Sequence, residues 1–259
     1  MTLIFSYSTH IGDYNGGRYT KDNKTDHILK LYKISMERAK ELGHKIKFYG
    51  CDYSLNYLKD YYDTFVNVEN VEFDITDDLK IYIHSQEPAG SITFDGDIIL
   101  ENKLSVDETS DIIFEQREEF VSDSPWQSDT IFKMLNIFKK YKVDAVFPDF
   151  SFEPRHLCNV GVLRFRTEEI RNLFIDSYYK FRRYYLTNIE PTEKLIPQGL
   201  IVSTIICQYY FTNICEKNNI KYSFTSDYKS NKYKHYLGNL KFNKDIFNII
   251  DTELHNYLH

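Results

Sequence analysis

Apolar residues fall in short β-branched runs separated by longer stretches with helical spacing, and that alternation predicts the architecture. Leu3-Ile-Phe-Ser-Tyr7 reads as a buried first strand, followed by a sharp loop carrying Gly12, Asp13, Asn15, Gly16 and Gly17. His27 to Leu42 has apolar positions one helical turn apart, with Ile28, Leu31, Ser35, Ala39 and Leu42 inward and Gly43 as the stop. Lys45 to Cys51 predicts a second strand, Leu55 to Tyr62 a short helix and Phe65 to Val68 a third strand. Lys80 to His84 reads as a helix or a strand edge, and Glu87-Pro88-Ala89-Gly90 as a turn. Asp111 to Phe114, Asp144 to Phe147, Leu157 to Phe165 and Ile220 to Phe224 read as further strands. Ser124 caps a helix with Pro125 at its first position, whose buried face is Ile131, Met134, Leu135 and Phe138. Thr167 to Leu186 is a long helix capped by Thr167, with Glu168 and Glu169 where the helix dipole favours them. Gly199 to Phe211 predicts a core helix. Ser226 to Lys234 reads as a polar, mobile stretch, and Asp245 to Leu258 as an amphipathic helix with Ile246, Ile250 and Leu254 inward. Strands alternating with helices imply an α/β fold with a mostly parallel, doubly wound central sheet flanked by helices.

One stretch breaks the pattern. Ser91 to Leu100 is an apolar, β-branched run interrupted by Asp95 and Asp97, and it predicts a strand ending in an acidic tip. A buried strand normally reads as unbroken Val, Ile and Leu, so two carboxylates here need a cation or strong donors. Two hard oxygen ligands suggest Mn²⁺ or Mg²⁺, and Gly96 between them lets a metal and a phosphate approach the backbone. In parallel sheets ligands bind beyond the carboxyl ends of strands, where this tip would lie. The alternative is a solvated turn.

Length and charge narrow the field. The chain has 259 residues, enough for one large α/β domain with a C-terminal appendage, and a net charge of −6 argues against general nucleic-acid binding. Aromatics make up 16%, a value that genome bias explains more simply than sugar stacking. Trp126, the single tryptophan, reads as a core or helix-end residue before a sugar platform. The four cysteines, Cys51, Cys158, Cys207 and Cys215, have no zinc-like spacing and read as reduced core residues. The chain opens on an apolar strand rather than a signal peptide, and its longest apolar region, Leu195 to Phe211, is interrupted by Pro197, Gln198 and Gly199. A cytoplasmic protein is expected.

Three separated segments occur in one order: Phe94-Asp95-Gly96-Asp97, Asn159-Val160-Gly161-Val162, and His235 with Gly238 and Lys241 at three-residue steps. The set resembles the GT-A glycosyltransferases, most closely the family-8-like group of glycogenin and lipopolysaccharide galactosyltransferases. The resemblance spans most of the chain through short motifs, and implies a single GT-A, Rossmann-like domain over 1–259. Residues 1–100 would be the nucleotide-binding half, and 101–259 the acceptor half with the C-terminal metal and phosphate segment. It further implies that Asp95, Asp97 and His235 bind Mn²⁺, or Mg²⁺, and that Lys241 and Gly238 serve the donor's phosphates. Tyr7, Ser8 and Thr9 would contact nucleobase and ribose, and Asn159 and Gly161 the donor-sugar side. Gln198 matches the glutamine of the family's Asp-Gln segment, near the reacting carbon, although Pro197 stands where the Asp would be. His84-Ser85-Gln86-Glu87 offers no arginine where the family carries a basic residue, and Phe242-Asn243 replaces the Pro-Trp that commonly follows the terminal Lys.

The activity so implied is a metal-dependent, hexosyltransferase-type transfer of a sugar from a nucleotide diphosphate donor, a UDP-sugar, to an acceptor hydroxyl. The acceptor could be a glycan, lipid, protein or modified nucleic acid. Gln198 is a poor base, which favours retention. Inversion would need a carboxylate such as Asp149, Glu153, Glu190 or Glu193. Two rival readings stay open: a catalytically silent UDP- or carbohydrate-binding module, and a sugar-phosphate nucleotidylyltransferase. Against the latter, Thr9 to Arg18 lacks the Pro-Leu continuation of that class's phosphate loop.

Overall fold

Strand β1 (Thr2–Tyr7) buries Leu3, Phe5 and Tyr7 in one apolar cluster and Ile4 in another. Side chains alternate across a strand, so β1 is covered on both faces. On the first face Ile28, Leu29, Met36 and Ala39 of α1 (Asn23–Glu41) pack against it. On the other, Ile4 meets Leu79 and Ile83 of α3 (Asp78–Gln86). A computed structural model describes residues 1–7, 23–71, 78–119, 125–153, 156–190, 204–236, 245 and 248–250, with the side chains of 23–27, 125–130 and 204 outside that description.

The remaining strands among the described residues are β2 (Lys45–Gly50), β3 (Thr64–Asn67), β4 (Ile92–Phe94), β5 (Ile98–Leu100), β6 (Ile112–Phe114), β7 (Arg117–Glu119), β8 (His156–Cys158), β9 (Val162–Phe165), β10 (Tyr222–Phe224) and β11 (Tyr233–His235). Seven form the central sheet, in the order β10-β6-β9-β4-β1-β2-β3. It is mostly parallel, the exception being β9, which runs antiparallel to both β4 and β6. Two small ribbons, β5 with β11 and β7 with β8, are also antiparallel. The mixed α/β fold and the mostly parallel sheet flanked by helices agree with the hydrophobic pattern.

Helix boundaries follow local chemistry. Gly43 ends α1 at φ +80°, a left-handed conformation open to glycine, with its N–H on the Lys40 carbonyl at 2.9 Å. Helix α4 (Pro125–Lys140) buries Ile131, Met134, Leu135 and Phe138 as expected. Thr167 caps α6 (Glu168–Asn188), its hydroxyl accepting from Ile170 N at 3.3 Å. Asp78 begins α3 and accepts from Tyr178 OH at 2.6 Å and Arg182 Nε at 2.9 Å, tying α3 to α6. All four cysteines are buried thiols.

Several elements differ from the sequence reading. Ser91 to Leu100 is two strands: Asp95-Gly96-Asp97 turns the chain out of the central sheet, so β5 pairs with β11 instead. Leu157 to Phe165 is likewise split, because Asn159 Oδ1 takes the Gly161 N–H at 2.7 Å and its own N–H goes to the Gln116 carbonyl. Asp144 to Phe147 is no strand. It is one helical turn, α5 (Val143–Val146), in which only Val143 is buried. The Leu55 to Tyr62 helix starts and ends earlier, as α2 (Asp52–Tyr57), since Cys51 already accepts from Leu55 N. From Thr204 to Tyr210 the predicted core helix is π-wound, and it continues as α7 (Phe211–Lys217). The polar stretch from Ser226 includes the first residues of β11 and is tied down by Asn231, whose Nδ2 donates to Ser105 O and Thr225 O. At the C-terminus 248–250 are helical and Ile250 is buried, while Ile246 and Leu254 lie outside the described residues.

His84 of α3 supplies a pH test of this packing. It is buried, Nε2 lies 3.0 Å from Thr93 Oγ1, and its ring meets Phe165 edge-on. Burial, with the positive charges of Lys80 and Arg171, lowers its pKa to about 3. A depressed folded-state pKa gives stability that is complete above the unfolded value and lost as pH falls below it. Relative to a His84→Gln variant, the parent is expected to lose about 2 kcal/mol between pH 7 and pH 5 in urea unfolding. Parallel pH profiles of parent and variant would refute a neutral, buried His84.

Candidate active site

Strand register brings the distant motifs together. Because β1 and β4 are parallel, with Leu3 beside Ile92, both carboxyl ends face the same sheet edge, and Tyr7 and Asp95 lie there. Strand β9 runs the other way, with Val162 beside Phe94, so its beginning meets the end of β4 and Asp95 N donates to Gly161 O at 2.8 Å. Strand β11 sets His235 beside Ile98, and Tyr236 N donates to Asp97 O at 2.9 Å. Antiparallel pairing thus makes neighbours of residues far apart in sequence.

Asp95, Asp97 and His235 each offer one ligand atom, all within 4.8 Å of one another. Asp97 and His235 side chains are 10% and 6% exposed, while Asp95 keeps 35% of its side chain open to solvent. Two carboxylate oxygens and an imidazole nitrogen make a mixed oxygen and nitrogen donor set, and it is open to solvent at Asp95. Their spacing and chemistry fit a divalent cation.

Two charged residues that the sequence reading missed complete the cluster. Lys80 of α3 reaches Asp95 Oδ1 at 2.7 Å and donates to Val160 O at 2.7 Å. It lies one turn before His84 in the same helix. Glu115, directly after β6, is fully buried with both oxygens against His235 Nδ1, at 2.8 and 2.7 Å. The stretch from Lys80 to His84 read equally as a helix or a strand edge, and nothing local showed that Lys80 would face Asp95.

The electrostatics are those of an acidic cluster interleaved with basic side chains. Burial pushes the Asp95 carboxyl above its usual range, the Lys80 ammonium opposes the shift, and Asp97 adds to it. Burial raises Glu115 as well, against the hydrogen bond and charge of His235. Burial alone would lower the His235 imidazolium, but hydrogen bonds and charges from Asp97 and Glu115 outweigh it and raise it to about 10. Three carboxyl groups, those of Asp95, Asp97 and Glu115, thus stand against two basic side chains, Lys80 and His235.

The other expected site residues divide. Asn159 is buried, with Nδ2 on Glu118 Oε1 at 2.5 Å and Oδ1 on Gly161 N, so its amide shapes the turn before β9. A Cβ at Gly161 would lie 2.3 Å from Glu115 Oε2 and 3.0 Å from His235 Cε1. At Gly96 it would lie 2.4 Å from the Tyr32 ring, so that glycine makes room for an aromatic side chain. Tyr32 in turn packs edge-on against Tyr7 and donates to Ser6 O at 2.9 Å. Ser8, Thr9, Gln198, Gly238 and Lys241 lie outside the described residues, as do Pro197, Glu193 and the side chain of Trp126. Asp149 accepts from Asn218 Nδ2 at 3.3 Å, and Glu153 and Glu190 are exposed. No described helix is long and apolar enough to cross a membrane.

No protein-family model and no curated protein matches the sequence. Among solved structures, galactosyltransferase LgtC in complex with donor and acceptor sugar analogues is 12% identical, with a TM-score of 0.42 over 80% of this chain and 70% of that one. Mouse xyloside xylosyltransferase 1 in its apo form is 10% identical, with a TM-score of 0.42 over 86% and 84%. The CTP:phosphocholine cytidylyltransferase LicC of Streptococcus pneumoniae is 13% identical, with a TM-score of 0.44 over 96% and 98%. Likenesses this low carry no argument about this chain's activity.

Proposed function

We propose that this chain is a metal-dependent glycosyltransferase of GT-A type, transferring a sugar from a nucleotide diphosphate donor to an acceptor hydroxyl. The observation that carries the reading is the convergence of Asp95, Asp97 and His235 at the carboxyl ends of β1 and β4. Asp95, Asp97 and His235 would hold Mn²⁺ or Mg²⁺, which would supply Lewis-acid stabilisation of the charge on a departing diphosphate. The end of β1, where the Tyr7 side chain itself is buried, would with Ser8 and Thr9 meet the nucleobase and ribose of a UDP-sugar, and Lys241 and Gly238 would meet its phosphates. Lys80 holds Asp95 in place and adds positive charge to the pocket floor. Asn159 and Gly161 are assigned to the donor-sugar side and Gln198 to the reacting carbon, a role in which its weak basicity would favour retention. Residues 1–100 form the nucleotide half and 101–259 the acceptor half of one domain.

The decisive assay incubates the protein with a panel of UDP-sugars, with Mn²⁺ or with EDTA, and measures released UDP. Metal-dependent UDP release is expected even without acceptor, because water can replace it. UDP binding without turnover of any nucleotide sugar would make the chain a silent binding module. Pyrophosphate release from a nucleoside triphosphate and a sugar phosphate would make it a nucleotidylyltransferase.

A further inference from the structure

Behind His235 lies a carboxylate that the three proposed ligands do not include. Glu115 is 0% exposed, and isolating a carboxylate so completely is costly unless it is paired. Its backbone is fixed on both sides: Glu115 N donates to Asn159 O at 2.9 Å, and its carbonyl accepts from Ser226 N at 3.0 Å and Thr225 Oγ1 at 2.8 Å. Among the described residues, His235 Nδ1 is the donor that meets its carboxylate. The other ring nitrogen, Nε2, lies 3.2 Å from Asp97 Oδ1. The imidazole is therefore clamped between two carboxylates, one on each nitrogen.

The space for this clamp is made by a second residue. A methyl at position 161 would occupy the Glu115 carboxylate's place, at 2.3 Å from Oε2, and would press on the His235 ring and on Asn159 Oδ1 at 3.1 Å. Gly161 is held there by the bond from its N–H to Asn159 Oδ1 and the one from Asp95 N to its carbonyl. The glycine, the buried glutamate and the histidine form one unit directly beneath Asp95 and Asp97.

We propose that Glu115 is a positioning residue for the cation site: it accepts the Nδ1 proton of His235, fixing ring orientation and tautomer so that the Nε2 lone pair points at the cation shared with Asp95 and Asp97. This rests on the reading of Asp95, Asp97 and His235 as a cation site. A histidine with one nitrogen on a metal commonly gives the other N–H to a carboxylate, and removing that partner weakens metal binding roughly 10- to 100-fold. Glu115 acts only through His235, and its own oxygens face the ring rather than the opening at Asp95.

The test measures Mn²⁺ affinity from free-Mn²⁺ electron paramagnetic resonance, in the presence of UDP, for the parent, Glu115→Gln and Glu115→Met. Glu115→Gln keeps shape and a neutral acceptor, whereas Glu115→Met removes the acceptor. Weakening of roughly 10- to 100-fold is expected for Glu115→Met, with a smaller loss for Glu115→Gln. Nitrogen-15 imidazole spectra of the parent with Mg²⁺ and UDP give a readout independent of any variant's folding. They are expected to show His235 protonated at Nδ1 and bare at Nε2. Equal Mn²⁺ affinity in all three proteins, or a proton on Nε2 in the loaded parent, would overturn the role of Glu115 and leave the cation site standing. No Mn²⁺ binding by the parent would overturn both.

Discussion

A chain carrying Asp95→Asn and Asp97→Asn together is expected to lose the Mn²⁺-dependent stabilisation that UDP gives the parent. The replacements keep side-chain size, and each amide oxygen can still accept from Lys80 or His235, the partners of the two carboxylates. What disappears is the pair of hard anionic ligands. UDP with Mn²⁺ at about a hundred times its dissociation constant should stabilise the parent by roughly 2.7 kcal/mol, and the variant hardly at all. Charge stabilisation of several kcal/mol at the departing diphosphate also corresponds to a fall of about a thousandfold in UDP-sugar turnover. Thermal unfolding and UDP release measure the two effects separately. A variant that keeps both the metal-dependent stabilisation and the turnover would reduce Asp95 and Asp97 to a polar turn.

Gly161→Ala should do comparable damage through one methyl group. That methyl would sit 2.3 Å from Glu115 Oε2 and 3.0 Å from His235 Cε1, both in buried side chains. The carboxylate cannot swing into solvent without leaving the imidazole, so either β9 shifts or the Glu115–His235 contact breaks. Overpacking of this kind costs about 1–3 kcal/mol, readable as a lower urea midpoint. The stabilisation by UDP with Mn²⁺ should fall with it, because His235 moves. A substituted protein with the parent's midpoint and the parent's response to Mn²⁺ would show that the turn before β9 relaxes freely.

The sequence by itself determined the elements whose signals are local. The apolar run from Leu3 to Tyr7, the helical spacing from Ile28 to Ala39 with Gly43 after it, and the Thr167 cap each depend on residues within a turn or two, so the pattern could be read directly. The acidic pair at Asp95 and Asp97 was legible for the same reason: two charges inside an apolar strand violate the pattern that surrounds them. His235 entered through a spacing that resembles a known motif, and the structure sets it beside Asp97.

Tertiary structure alone decided what depends on pairing. The breaks at Asp95-Gly96-Asp97 and at Asn159 to Gly161 lie where strands change partners, and choice of partner is not encoded in the strand being read. Asp144 to Phe147 looks like a strand by composition, yet with one residue of α5 buried it has no sheet to join. Glu115 follows the strand read over Asp111 to Phe114 with no local mark of its own, and Lys80 opens a stretch that read as a helix or a strand edge. Each gains its meaning from a neighbour far along the chain, His235 for one and Asp95 for the other. An ionisable group shows its role through what surrounds it when buried, and that environment exists only once the sheet has assembled.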